Sequence, residues 1–279
     1  MGKRRTVLIL TLLLTSTAFA SPKRRAVGGD DSWPSHPLLE AARLANEPQY
    51  DFARNAGARV LLAADNSTFA LYWSPTAAVN TPVIVTLPGS DAFATAEFFH
   101  WYSLAAERGY ALLALQWWMG KPDDYLDDET IYALIAEMLG RVGASHDRNL
   151  LHGFSRGSAR SYAIAFFDRR TSNPWFLMNI ANSGGAQTTY PLYRDIEQGR
   201  YGSNVFAGTH WVLYCGENDP NPTISGCPAM RESQTWLTRN GGDVRLFIDD
   251  PAGGHGGFEQ NPANMRQALD VFAGLLSKL

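Results

Sequence analysis

Leu150-Leu151-His152-Gly153-Phe154-Ser155-Arg156-Gly157-Ser158-Ala159 is the stretch whose reading decides the fold. It spells Gly-x-Ser-x-Gly, with an apolar run in front and a helix-compatible segment behind. The pattern suits a strand that ends, turns sharply on Ser155 and runs straight into a helix. Such a turn brings strand and helix so close that side chains two positions before and after the serine would collide. Glycine at 153 and 157 therefore has a steric reason. The helix start behind Ser155 would also aim free backbone N–H groups at the serine, that of Arg156 among them. A tight turn without chemistry shares this local pattern, so the remaining chain has to decide.

At 279 residues the chain can bury the core of one large α/β domain or of two small ones. Hydrophobic residues make up 45% and charged residues 18%, the balance of a folded globular protein. The first twenty residues have the pattern of a secretory signal. Lys3, Arg4 and Arg5 precede an apolar run at 6–14, and Ala18-Phe19-Ala20 offers a small-x-small cleavage site before Ser21. That run is too short to span a bilayer, and no cysteine lies near the cleavage site to carry a lipid. The expectation is a cleaved signal at 1–20, a leader with a short helix at 21–57, one domain at 58–279, and a secreted or periplasmic protein. Without the three signal basics the balance is 21 basic against 27 acidic residues, a net of −6. Nucleic acid and anionic membrane surfaces are therefore not expected partners. Cys215 and Cys227 are the only cysteines, and in an oxidising compartment a disulfide between them is favoured over two free thiols.

Residues 37–45 read as a short helix, and 58–63 and 68–73 as two strands joined at Asp65-Asn66-Ser67. From Pro82 the chain alternates. The run 83–87 has the continuous apolar character of a buried parallel strand, 95–108 is a helix and 110–116 a strand. Residues 127–142 form an amphipathic helix with an acidic start, which suits the helix dipole. The strand 149–153 enters the turn and the helix 156–169 leaves it. Further strands fall at 175–180, 211–215 and 244–248, with helices at 190–198, 230–239 and 262–278. This alternation implies a mostly parallel sheet with helices on both faces and no internal boundary.

Gly-x-Ser-x-Gly at the middle strand of such a sheet resembles the α/β-hydrolase family, and the resemblance covers essentially everything from residue 58 onward. It implies a nucleophile, an acid and a histidine in that chain order. The acid would follow a late strand, and Asp219 in Gly216-Glu217-Asn218-Asp219-Pro220 occupies that place. A plain turn aspartate before proline is the alternative there, and Glu217, Asp249 and Asp250 are rival acids. The histidine would lie after the last strand. His255, with glycine at 253, 254, 256 and 257, stands there unshielded by neighbouring side chains. The resemblance implies one oxyanion donor at the Arg156 N–H and a second in Leu87-Pro88-Gly89-Ser90-Asp91, at Ser90 by position, with Asp91 as alternative.

Trp117 and Trp118 are candidates for the cleft rim, where they would hold an aromatic acyl group or a sugar, with core packing of one of them the alternative. Arg156 offers either a substrate carboxylate contact or a structural ion pair. His152 is expected to pack beneath the site, and His36, His100, His146 and His210 lack metal-site spacing; no metal and no cofactor is expected. Only residues 181–209 stand where relatives insert a lid, so no large lid is expected. The function implied is a serine esterase acting on a small or polymer-borne ester. The alternatives are a serine peptidase of the prolyl-oligopeptidase type and a catalytically silent binding protein of the same fold.

Overall fold

Alternating apolar and amphipathic stretches become strands and helices in the computed structural model, which describes residues 33–76 and 80–279. The expected signal at 1–20 and the start of the leader lie outside the described residues. Two helices, α1 (Pro37–Ala45) and α2 (Glu47–Asn55), precede a hairpin of β1 (Arg59–Leu62) and β2 (Phe69–Trp73). Then follow β3 (Val83–Leu87), α3 (Ala94–Arg108), β4 (Ala111–Leu115), α4 (Asp128–Arg141), β5 (Asn149–Phe154), α5 (Arg156–Arg169) and β6 (Phe176–Asn182). The chain closes with α6 (Pro191–Glu197), β7 (His210–Gly216), α7 (Cys227–Arg239), β8 (Asp243–Asp250), α8 (Gly257–Gln260) and α9 (Pro262–Leu276).

The strands form one sheet in the order β1-β2-β4-β3-β5-β6-β7-β8. The pairs β1–β2 and β2–β4 are antiparallel and all later pairs are parallel. Every residue of β3 and β4 is buried, which is why those strands read as unbroken apolar runs. Neighbouring positions serve opposite layers. Ile84, Leu112, Leu150 and Tyr214 pack on the α1, α2, α3 and α9 side. Val85, Leu113 and Leu151 face α4, and Trp211, Leu213 and Cys215 face α7.

Strand order reverses at β3, which has β4 on one side and β5 on the other. The helix after β3 and the helix after β5 consequently cover opposite faces, and a crevice opens at the carboxyl ends of these two strands. The loop at 88–91 and the turn at Ser155 meet in that crevice.

Two helices were not anticipated. Asn46 caps α2 by accepting from the Gln49 N–H, a signal present in the sequence but assigned to the leader. The four-residue α8 was hidden by the surrounding glycines. Helix α7 also starts at Cys227, with Pro228 in its first turn, where proline is favoured, rather than at Met230. Among the described residues no helix is long and apolar enough to cross a membrane.

The glycines of the turn are sterically required. A Cβ on Gly153 would stand 2.3 Å from the Gly157 carbonyl oxygen, and one on Gly157 would stand 2.3 Å from that of Leu87. In α9, by contrast, a Cβ on Gly274 would meet nothing within 4 Å. Urea unfolding is therefore expected to show Gly153→Ala destabilised by about 1–3 kcal/mol or more. Gly274→Ala in the same assay is expected to gain about 0.5–1 kcal/mol, because only the helix preference for alanine remains.

Candidate active site

Ser155 lies at φ 53°, ψ −115°, a region that residues with a Cβ enter only at a cost. Its N–H donates to the Asn182 carbonyl at the end of β6 (2.8 Å), and α5 begins at the next residue. The side chain is thereby lifted above the carboxyl edge of the sheet. There Ser155 Oγ lies 2.8 Å from His255 Nε2, and His255 Nδ1 lies 2.7 Å from Asp219 Oδ2. The Asp219 side chain is fully buried while that of His255 is 32% exposed, so the histidine is open to the crevice and its acid is not. The second Asp219 oxygen accepts from the Asn221 N–H and the Ser225 hydroxyl (2.8 and 3.0 Å).

The acid and the histidine come from separate loops that are pressed together. Main-chain bonds run from Glu217 N to Asp250 O (3.0 Å) and from Asn218 N to Gly253 O (2.9 Å). A Cβ on Gly216 would fall 2.4 Å from the Gly253 carbonyl oxygen. Cys215 and Cys227 form a disulfide that closes the loop around Asp219. The rival acids are engaged elsewhere. Glu217 and Asp249 both accept from Arg231. Asp250 shapes the histidine loop, accepting from the Ala252 and Gly253 N–H groups, Asn264 and the Tyr214 hydroxyl. Burial opposes the Asp250 charge, but these donors bring its carboxyl below the ordinary value.

The loop after β3 reaches the turn: a Cβ on Gly89 would lie 3.2 Å from that of Ser155. Among the described residues no acceptor takes the N–H of Ser90 or of Arg156. Asp91, the alternative donor, is occupied, since its N–H donates to the Tyr125 hydroxyl, which in turn donates to its carboxylate (3.0 and 2.7 Å).

Trp117 takes the core-packing alternative. Trp117 is fully buried and donates from Nε1 to the Pro88 carbonyl (3.0 Å), so it supports the loop from below and is removed from the substrate contacts. Its side chain continues the row Ala111, Leu113 and Leu115 on the α4 side of the sheet. Trp118 is half-buried, packs edge-on against Phe93 and donates to the Lys121 carbonyl. Arg156 donates from Nε to Ser90 Oγ (3.1 Å) and lies 4.2 Å over the Tyr125 ring. Its ion pair is a 3.8 Å contact with the largely exposed Asp123, a geometry that contributes little in water. Its guanidinium thus ties together the two residues with open N–H groups.

His152 is fully buried beneath the turn, as expected, and the sequence reading missed its neighbours Glu97 and Glu259. Glu97 alone gave a signal, an acid beside Phe98, Phe99 and Trp101; Glu259, in Gly257-Phe258-Glu259-Gln260-Asn261, gave none. Glu97 faces Nδ1 at 3.3 Å and Glu259 faces Nε2 at 3.8 Å, while Trp101 donates to Nδ1 (3.1 Å). One possible ligand atom from each of Glu97, His152 and Glu259 lies within 4.8 Å of the others. In the other group of potential metal ligands, Cys215, Cys227 and Asp249, both sulfurs are taken by the disulfide. His36 accepts from the Leu38 N–H at the start of α1, His210 pairs with Asp243, and His146 stacks on Trp175.

No protein-family model and no curated protein sequence matches the chain. Solved structures do, at low identity. An acylaminoacyl peptidase from Pyrococcus horikoshii is 17% identical with a TM-score of 0.56, over 78% of this chain and 41% of that one. Esterase LipW from Mycobacterium marinum is 15% identical with a TM-score of 0.57, over 86% and 89%. A carboxylesterase from Mesorhizobium loti is 16% identical with a TM-score of 0.55, over 75% and 98%. The chain therefore spans about two fifths of the peptidase and most of each esterase. The single mostly parallel α/β domain is the α/β-hydrolase fold.

The disulfide closes a short loop, its cysteines separated by 12 in sequence. Replacing both cysteines by serine is expected to lower the unfolding free energy by about 3 kcal/mol, read as a drop in the thermal midpoint that reductant reproduces in the unmodified protein.

Proposed function

We propose that this chain, an α/β hydrolase by fold, is an exported serine hydrolase that cleaves carboxylic esters through an acyl-enzyme. The observation that carries the reading is the unbroken hydrogen-bonded line from Ser155 through His255 to Asp219, with links of 2.8 and 2.7 Å. Asp219 engages Nδ1 as a donor, which leaves Nε2 to take the Ser155 proton as Oγ attacks the ester carbonyl. The tetrahedral oxyanion would lie against the Ser90 and Arg156 N–H groups, each worth about 3 kcal/mol to the transition state. His255 then gives the proton to the departing alcohol, and a water deprotonated by the same nitrogen releases the acid. The N-terminal basic, apolar and small-residue sequence supports export. The likeness to esterase LipW and to the M. loti carboxylesterase supports ester cleavage. The likeness to an acylaminoacyl peptidase favours a second reading, a serine peptidase.

Short-chain p-nitrophenyl esters are expected to be turned over and peptide p-nitroanilides to be left intact. Ser155→Ala should lower kcat by about 10⁶-fold, and Asp219→Asn by about 10⁴-fold through loss of the correct imidazole tautomer. Anilide cleavage without ester cleavage would move the reading to the peptidase. Undiminished ester turnover in Ser155→Ala would remove it altogether.

A further inference from the structure

The ester chemistry leaves one buried group without a task. Glu259 lies on α8, four residues after His255. Its Oε1 accepts from the Asn182 side-chain amide at 3.2 Å. Asn182 is also the residue whose carbonyl receives the Ser155 N–H, so a single side chain and its own backbone join Glu259 to the nucleophile. Phe258 is fully buried and its ring runs nearly parallel to that of His152, 5.8 Å between centres and 15° between planes. His152 is itself braced by Trp101 and by the Thr86 hydroxyl, which is also bonded to Glu97. Helix α8 thus meets the elbow strand through the Phe258 ring, which also packs on Tyr214 of β7 and Trp101 of α3, and meets the end of β6 through the Glu259 carboxyl. As a four-residue helix amid glycines, it has little intrinsic stability of its own.

We propose that Glu259 is a positioning residue: bonded to Asn182 above His152, it clamps the α8 turn and so holds His255 at the distance from Ser155 that proton transfer needs. The inference rests on the ester-hydrolase reading of Ser155 and His255. The clamp depends on a proton. Burial, and after it the charge of Glu97, pushes the Glu259 carboxyl well above its ordinary value of 4.5. The titratable groups facing it are Glu97 on α3, His152 on β5 and Tyr214 on β7. His100 of α3 stands close enough to feel Glu97 and His152, and Asp250 lies behind Tyr214. Losing the proton would set a second anion beside Glu97 where water is excluded, and α8 would lift. The folded state keeps a proton that the unfolded chain releases above pH 4.5. Stability should accordingly fall as pH rises from there and level off once the folded-state group has ionised. Glu259→Gln, a neutral mimic of the protonated acid, removes that slope.

The test compares the unmodified protein, Glu259→Gln and Glu259→Ala between pH 6 and 10. It measures amide hydrogen exchange at 256–260, corrected for the intrinsic rate, and kcat and KM on p-nitrophenyl acetate. The unmodified protein should lose protection of α8, and kcat with it, on the alkaline side, with KM nearly constant. Glu259→Gln should match it at pH 6 and keep both properties as pH rises. Glu259→Ala should be about 10- to 100-fold lower in kcat throughout, the scale of a misplaced catalytic group. A Glu259→Gln protein that declines with pH like the unmodified one, or a Glu259→Ala protein equal to it, would overturn the clamp. If Glu259→Ala does not fold, the comparison with Glu259→Gln decides alone. Exchange needs no substrate: protection that depends on pH and on Glu259 in a protein inert toward esters would defeat the hydrolase reading and leave the docking of α8 standing.

Discussion

Main chain packed directly on main chain around Ser155 is the constraint from which the site follows. The backbone of Gly153 touches that of Gly157, Gly157 touches the end of β3, and a Cβ on Gly184 would fall 2.1 Å from the Ser155 carbonyl oxygen. The ends of β3, β5 and β6 therefore converge on one residue held in a costly backbone conformation. Its hydroxyl has nowhere to go but up, out of the carboxyl edge of the sheet. The same turn leaves the Arg156 N–H unpaired, because the first donors of a helix have no partner within it. A raised serine hydroxyl and an open N–H group beside it are thus two outcomes of one packing arrangement.

The other site residues are brought to this fixed point by loops that depend on each other. The loops after β7 and β8 are joined by main-chain hydrogen bonds, and the disulfide braces the first of them. Four carboxylates crowd this end of the sheet, and their partners sort them: Arg231 takes Glu217 and Asp249, the histidine loop takes Asp250, and Asp219 is left for the imidazole. The loop after β3 is held at Pro88 by Trp117, at Ser90 by Arg156 and at Asp91 by Tyr125. An open pair of N–H groups survives because side chains around it absorb the competing bonds.

Most of this was legible in the sequence where a local rule fixes local structure. The strand 83–87, the helix 156–169 and the helix 37–45 coincide with β3, α5 and α1, because unbroken apolar runs and a glycine-flanked serine leave few alternatives. Ser155 was singled out by its flanking glycines, Asp219 and His255 by the chain order that the family resemblance implies, and the structure brings the three side chains into one hydrogen-bonded line. The aromatic residues were harder. Trp117 and Trp118 are adjacent in sequence, and strand alternation sends them to opposite layers of a sheet covered on both faces, so the sequence does not say which is fully buried. Glu97 and Glu259 escaped because they lie 162 positions apart, and only the tertiary fold brings both to His152. Pairing among rival acids was equally unreadable, since it depends on where Arg231 of α7 points.

Intact mass after exposure to a fluorophosphonate tests the activated serine most directly, because the reagent needs a nucleophile and an oxyanion pocket but no knowledge of the natural substrate. One adduct on the unmodified protein and none on Ser155→Ala is the result that follows from the hydrogen-bonded line through His255 and Asp219. An unreacted protein that is correctly folded, or an adduct that persists in Ser155→Ala, would contradict it.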